Sequence, residues 1–184
     1  MFVLRRLAAV AIVAALVLPG AVEAASGGGL RSKIIAASDG VHSYKLLVLG
    51  TVRSFGVFVK PNRYQMTTMF QGKPIRTILI GQNYWTYSGG KWQKSGTASN
   101  NLDVDIAGLL RNAKSSPGTP FVAQPDQIQD GKRVGTFAYT FKNGTQEACN
   151  FDKKTYRVTR CKAEELTLLY SDYNNPRNTV ANPH

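Results

Sequence analysis

Short runs of β-branched, aromatic and aliphatic residues dominate the middle of this chain. Tyr44 to Val52, Phe55 to Lys60, Tyr64 to Phe70, Ile75 to Ile80 and Tyr84 to Tyr87 read as strands, with Pro61-Asn62 and Gly72 as punctuation between them. No crossover helix fits between neighbours, so the spacing predicts an antiparallel meander. With Pro61-Asn62 at the turn, Val59 is expected to face Tyr64, Val57 Met66 and Phe55 Thr68. A symmetrical loop from Gln71 to Pro74 then sets Met66 beside Leu79 and brings Trp85 near Leu79. One face would collect Phe55, Val57, Val59, Tyr64, Met66, Leu79 and Trp85.

Two segments carry helical spacing. Leu30 to Ser38 has an apolar stripe of Leu30, Ile34, Ile35 and Ala37 and stops at Asp39-Gly40. Asp103 to Lys114 presents Val104, Ile106, Leu109 and Leu110, with its acids at the start and Lys114 at the end, and Pro117-Gly118 beyond it. Ser88-Gly89-Gly90, Ser95-Gly96 and Ser99-Asn100-Asn101 read as loop-like. Residues 117–131, with three prolines and two glycines, read as a long connection able to move. Strands resume at Val134 to Lys142 and Thr145 to Phe151, flanking the hairpin signal Asn143-Gly144. A second hairpin turns at Lys153 to Tyr156, and Glu165 to Tyr173 closes the series.

The first 24 residues change the compartment. Arg5-Arg6 precedes an apolar run from Leu7 to Leu18, Pro19-Gly20 breaks it, and Val22-Glu23-Ala24 supplies small residues for cleavage before Ala25. Residues 1–24 are expected to be a signal peptide and 25–184 one exported domain, soluble in the periplasm or outside the cell. The whole chain of 184 residues carries +12, and the segment after Ala24 carries +11. That excess attracts polyanions. Export argues against nucleic acid, and the basic residues are spread along the chain rather than gathered in one run.

Catalytic chemistry finds little footing. There are two histidines, and His42 with Asp39 and Ser43 offers adjacency in sequence rather than convergence in space. No His/Cys spacing suits a metal, and no cofactor is expected. Cys149 and Cys161 lie opposite one another if Lys154 to Tyr156 is a three-residue loop, a separation that a disulfide can span. Oxidation suits an exported chain. Tyr84, Trp85, Tyr87 and Trp92 serve either as strand packing or as a contact platform. A sheet with one face to cover and two short helices to cover it leaves room for an apolar cavity.

Three segments resemble a known family. Phe58-Val59-Lys60-Pro61-Asn62-Arg63-Tyr64 is similar to the early strand, basic-Pro-Asn turn and strand of the periplasmic lipoprotein-carrier superfamily, with its LolA/LolB and LppX/LprG-like folds. Ile80-Gly81-Gln82-Asn83-Tyr84-Trp85-Thr86-Tyr87 resembles its glycine turn followed by Trp and Tyr. Asp152-Lys153-Lys154-Thr155 and Tyr170-Ser171-Asp172-Tyr173-Asn174 look like its Asp-x-x-Thr hairpin and closing strand, with Tyr156 standing where that family usually has Gly.

The resemblance implies an α+β fold: a strongly curved antiparallel half-barrel with short helices as a lid on the concave face. It implies a carrier or sensor, not an enzyme, that holds a lipid or the acyl chains of a lipoprotein in an apolar cavity. The cavity is expected from Val57, Val59, Met66, Leu79, Trp85, Tyr87, Ile106, Leu109 and Leu110. Lys60, Arg63 and Arg76 are expected to approach lipid head groups or make transient contact with an anionic membrane. The alternative is an envelope module of the same fold with a filled core, binding a protein partner.

Overall fold

The computed structural model describes residues 27–97, 121–140 and 146–183. One helix, α1 (Gly27–Asp39), precedes a run of strands: β1 (Ser43–Leu49), β2 (Arg53–Val59), β3 (Arg63–Phe70), β4 (Lys73–Ile80), β5 (Asn83–Ser88) and β6 (Lys91–Thr97). After the connection come β7 (Phe121–Gln129), β8 (Lys132–Thr140), β9 (Gln146–Phe151), β10 (Val158–Ala163) and β11 (Leu166–Ser171). All eleven form one antiparallel sheet in the order β6-β5-β4-β3-β2-β1-β11-β10-β9-β8-β7. The sheet is open and curved, and the described residues contain one helix to cover it. No helix among them is long and apolar enough to cross a membrane. The expected signal segment and the predicted helix from Asp103 to Lys114 lie outside the described residues.

The first and last strands pair with each other at the middle of the sheet, Leu46 opposite Tyr170 and Val48 opposite Leu168. The chain therefore builds two meanders, one on each side of this seam. Asn174 ties the entry and exit of the seam together. Its Oδ1 accepts from the amides of His42 at 2.6 Å and Ser43 at 3.3 Å, and its Nδ2 donates to the Gly40 carbonyl at 2.9 Å.

Cross-strand pairs share a face, which divides the sheet cleanly. The inner face, against which α1 packs, carries Tyr44, Phe58, Phe137, Tyr139, Phe151 and Tyr170, with Ile34 of the helix sealed among them. Over β8–β10 it is filled by rings: Phe137 stacks on Phe121 at 4.9 Å, and Phe151 on Tyr156 at 5.9 Å. Gly135 is buried beneath Phe151, so close that a Cβ would lie 2.1 Å from the ring. The Cys149–Cys161 disulfide joins directly opposite residues of β9 and β10. Asp152 folds the turn after β9, accepting from the amides of Lys154 and Thr155 through Oδ1. Tyr156 takes a left-handed φ of 56°, a conformation that Gly would adopt without cost.

Four expectations need correction. The loop between β2 and β3 has three residues, so Val59 pairs with Arg63, Phe58 with Tyr64 and Val57 with Gln65. This is one position away from the expected register, and with side-chain period two it sends alternate residues to opposite faces. Residues 117–131 do not form one long connection, because Phe121–Gln129 is a strand hydrogen-bonded to β8. Ser95-Gly96, read as loop-like, lies within the strand Lys91–Thr97, which pairs with β5. The Asn143-Gly144 turn lies outside the described residues; the flanking register, Thr140 opposite Gln146, differs by one from that of a two-residue loop there.

Candidate functional site

The inner face is the candidate site, and its two halves differ. Toward β8–β11 the rings and α1 fill it. Toward β3–β5 its cross-strand rows run Tyr64–Leu79–Tyr84, Met66–Thr77–Thr86 and Thr68–Ile75. Leu79 is buried, most of the others are half-buried, and Ile75 is 40% exposed. This half is lined by aliphatic, aromatic and threonine side chains and carries no charged group in these rows. Gly56, between Leu46 and Met66, keeps the floor flat, since a Cβ there would lie 2.4 Å from the Gln65 carbonyl oxygen.

Its polar groups are turned inward on themselves. The Tyr64 hydroxyl donates to the Met66 sulfur at 3.0 Å, and burial, with a smaller effect of Tyr84, pushes its pKa up to about 12. Burial also raises Tyr139, Tyr170 and Tyr173. The Tyr173 hydroxyl donates to the Val158 carbonyl. Glu147 is a carboxylate of this face, 5% exposed, and burial raises its pKa. The Tyr139 hydroxyl donates to its Oε2 at 2.7 Å, which opposes that rise. Glu147 lies with Cys149 and Cys161 in a cluster whose ligand atoms are within 4.8 Å of one another, but both sulfurs are spent in the disulfide and offer no thiolate.

One-residue register differences at the β2–β3 loop and at the β4–β5 turn separate the residues expected to line a cavity. Met66 and Leu79 stand on the inner face. Val57, Val59, Trp85 and Tyr87 stand on the outer face, where Val57 joins Gln65, Ile78 and Trp85 in one row. Ile106, Leu109 and Leu110 lie outside the described residues. Tyr64, Thr77 and Tyr84 belong to the inner face instead. A two-residue turn at Gly81-Gln82, pairing Ile80 with Asn83, would have placed Tyr84 there in place of Trp85.

The expected head-group cations are also placed differently from one another. Lys60 donates to the carbonyls of Ser38 at 3.3 Å and Asp39 at 3.2 Å, at the end of α1. Arg63 donates to the Val180 carbonyl and to Asn182 Oδ1, both at 2.8 Å, holding the C-terminal tail across the outer face. Both are committed to structure. Arg76 is exposed on the outer face, over the Tyr87 ring at 5.6 Å. Beside the tail the outer face holds a groove of about 390 Å³ lined by Lys45, Leu47, Arg53, Phe55, Val57 and Thr179 among others.

No family model matches the sequence, and no curated protein matches it. Solved structures do resemble it. The lipoprotein LppX of Mycobacterium tuberculosis superposes with a TM-score of 0.62 at 16% identity, covering 83% of this chain and 99% of LppX. LprF from Mycobacterium bovis gives 0.61 at 13% identity, covering 85% of this chain and 96% of LprF.

Proposed function

From the premise that the chain belongs by fold to the lipoprotein-carrier superfamily with its LppX-like members, we propose that it is an exported, non-enzymatic carrier or sensor. Its ligand is a lipid, or the acyl chains of a lipoprotein, held against the inner face between the sheet and a helical cover. The observation that carries this reading is the β3–β5 half of the inner face. Tyr64, Met66, Thr77, Leu79 and Tyr84 form an uncharged surface on the same side as α1, beyond the ring-filled half. Hydrocarbon laid on it gains about 0.8 kcal/mol per buried methylene. The segment 98–120 joins β6 to β7, the two ends of the sheet, and its apolar residues Ile106, Leu109 and Leu110 are the proposed cover. Release then requires that cover to lift.

A second reading, an envelope interaction module with a solid core, is favoured by the packing of Phe121, Phe137, Phe151 and Tyr156 over the other half. Native mass spectrometry of gently purified protein separates the two. A carrier retains a hydrophobic adduct and, once stripped, takes up a fluorescent fatty acid. Thr77→Trp on the inner face should reduce uptake severalfold, whereas Thr67→Trp on the outer face should not. Absence of both adduct and uptake would refute the carrier reading.

A further inference from the structure

We propose that the outer face of the β11–β1–β2–β3–β4 region docks on an anionic phospholipid bilayer, on the side of the sheet opposite α1. The charge pattern is the first argument. Between Asp39 and Asp103 the sequence holds eight Lys and Arg and no Asp or Glu, and this stretch is β1–β6. The other half of the sheet, residues 121–171, balances its eight Lys and Arg with six Asp and Glu, so net positive charge is concentrated on the β1–β6 half. Neither β10 nor β11 contains an acidic residue, and β10 adds Arg160 and Lys162. Asp172 reaches this region from the end of β11 and is paired with Lys45 at 2.5 Å.

The arrangement of apolar groups is the second. One outer row runs Arg160–Leu169–Leu47–Phe55–Thr67–Arg76 across six strands. Its centre is aliphatic and aromatic and its two ends are guanidinium groups. Phe55 is 52% exposed although it sits mid-strand on a central element, beside the groove of about 390 Å³. Arg53 flanks the same groove from the next row.

Exposed apolar groups framed by cations suit a bilayer interface, where anionic head groups and acyl chains lie within a few ångströms of each other. A soluble polyanion would satisfy the cations and leave Phe55, Leu47 and Leu169 without a partner. A second copy of the same face would set cations against cations. The docking face is separate from the inner face, so this inference does not depend on what the inner face holds.

The test places an environment-sensitive fluorophore on the full chain at Phe55→Cys, with Thr67→Cys, next in the row, as a second site. The native cysteines are paired with each other, so the introduced thiol takes the label. Gln82→Cys, in the β4–β5 hairpin at the far end of the strands, is the control. Vesicles of phosphatidylcholine with and without phosphatidylglycerol are titrated in, and a thermal melt confirms folding of each variant. The expected result is a blue shift at positions 55 or 67 that requires phosphatidylglycerol, fades at high salt and exceeds that at position 82. Arg53→Gln and Arg76→Gln should each weaken the apparent affinity roughly fivefold, about 1 kcal/mol per charge near an anionic surface. No shift at either outer site, an equal shift at position 82, or the same shift with heparin in place of vesicles would overturn the proposal.

Discussion

Replacing Gly135 by Ala tests how completely the β8–β10 half is filled. Its backbone is not in the left-handed region, so alanine would otherwise be favourable, by about 0.4–1 kcal/mol through the unfolded chain. Space decides the outcome. A Cβ at this position would lie 2.1, 2.5 and 2.6 Å from three carbons of the Phe151 ring, closer than side chains tolerate. The ring cannot swing away freely, because Tyr156 stacks on it at 5.9 Å and Phe137 lies at 6.1 Å. Overpacking of this kind costs about 1–3 kcal/mol. The net expectation is a loss of about 1–2 kcal/mol, which for a domain of this size lowers Tm by about 3–6 °C. Urea unfolding of four proteins closes a cycle: wild type, Gly135→Ala, Phe151→Leu and the double variant. Leucine at 151 removes the colliding ring edge, so Gly135→Ala should cost little or nothing in that background, giving a coupling above about 1 kcal/mol. If Gly135→Ala is neutral, or costs the same in both backgrounds, the packing account is wrong.

Two further expectations follow from the same face. Burial raises the Glu147 pKa, so its protonated form is the one the folded state prefers. Its contribution is fully present below its ordinary value of 4.5 and is lost as pH rises from there through the raised folded value. Glu147→Gln should therefore stabilise the protein at neutral pH and flatten the decline above about pH 4.5, measured as Tm against pH; an unchanged profile refutes this. Replacing both Cys149 and Cys161 by Ala reopens a loop spanning 12 positions and should cost about 3 kcal/mol by chain entropy, read as a shift in the urea midpoint against wild type under non-reducing conditions. Equal midpoints would show that the neighbouring ladder alone fixes the hairpin.

Much of the architecture was legible because central strands must alternate. Tyr44, Phe58, Tyr64 and Leu79 announce themselves as β-formers, and antiparallel order follows from loops too short for a crossover. The two edge strands were not legible. Lys91–Thr97 is almost wholly exposed, and Phe121–Gln129 contains Pro125 at an irregularity in the ladder between Gln124 and Gln127. An edge strand needs neither an apolar face nor every amide, so the usual signals are missing. The site suffered from a smaller error with a larger effect. A loop of three residues at Lys60–Asn62 rather than two takes Val57 and Val59 away from Tyr64 and Met66, and a one-residue difference at the β4–β5 turn takes Trp85 away from Leu79, so all three belong to the opposite side. The disulfide pairing held although the loop closes between Asp152 and Arg157, one residue longer than expected, because the irregularity between Val158 and Arg160 brings Cys161 back opposite Cys149.

The pairing of β1 with β11 gives the sheet a spine. Each meander is built from neighbours in sequence, whereas this ladder joins residues from Lys45–Leu49 to Thr167–Ser171. Folding thus has two locally assembled arms and one late, long-distance clasp between them. The clasp is also the natural axis for breathing. Each arm can tilt as a block while its own ladders stay intact, moving the unjoined borders β6 and β7 apart or together. A protease nick between those borders should leave two fragments that remain associated along the spine.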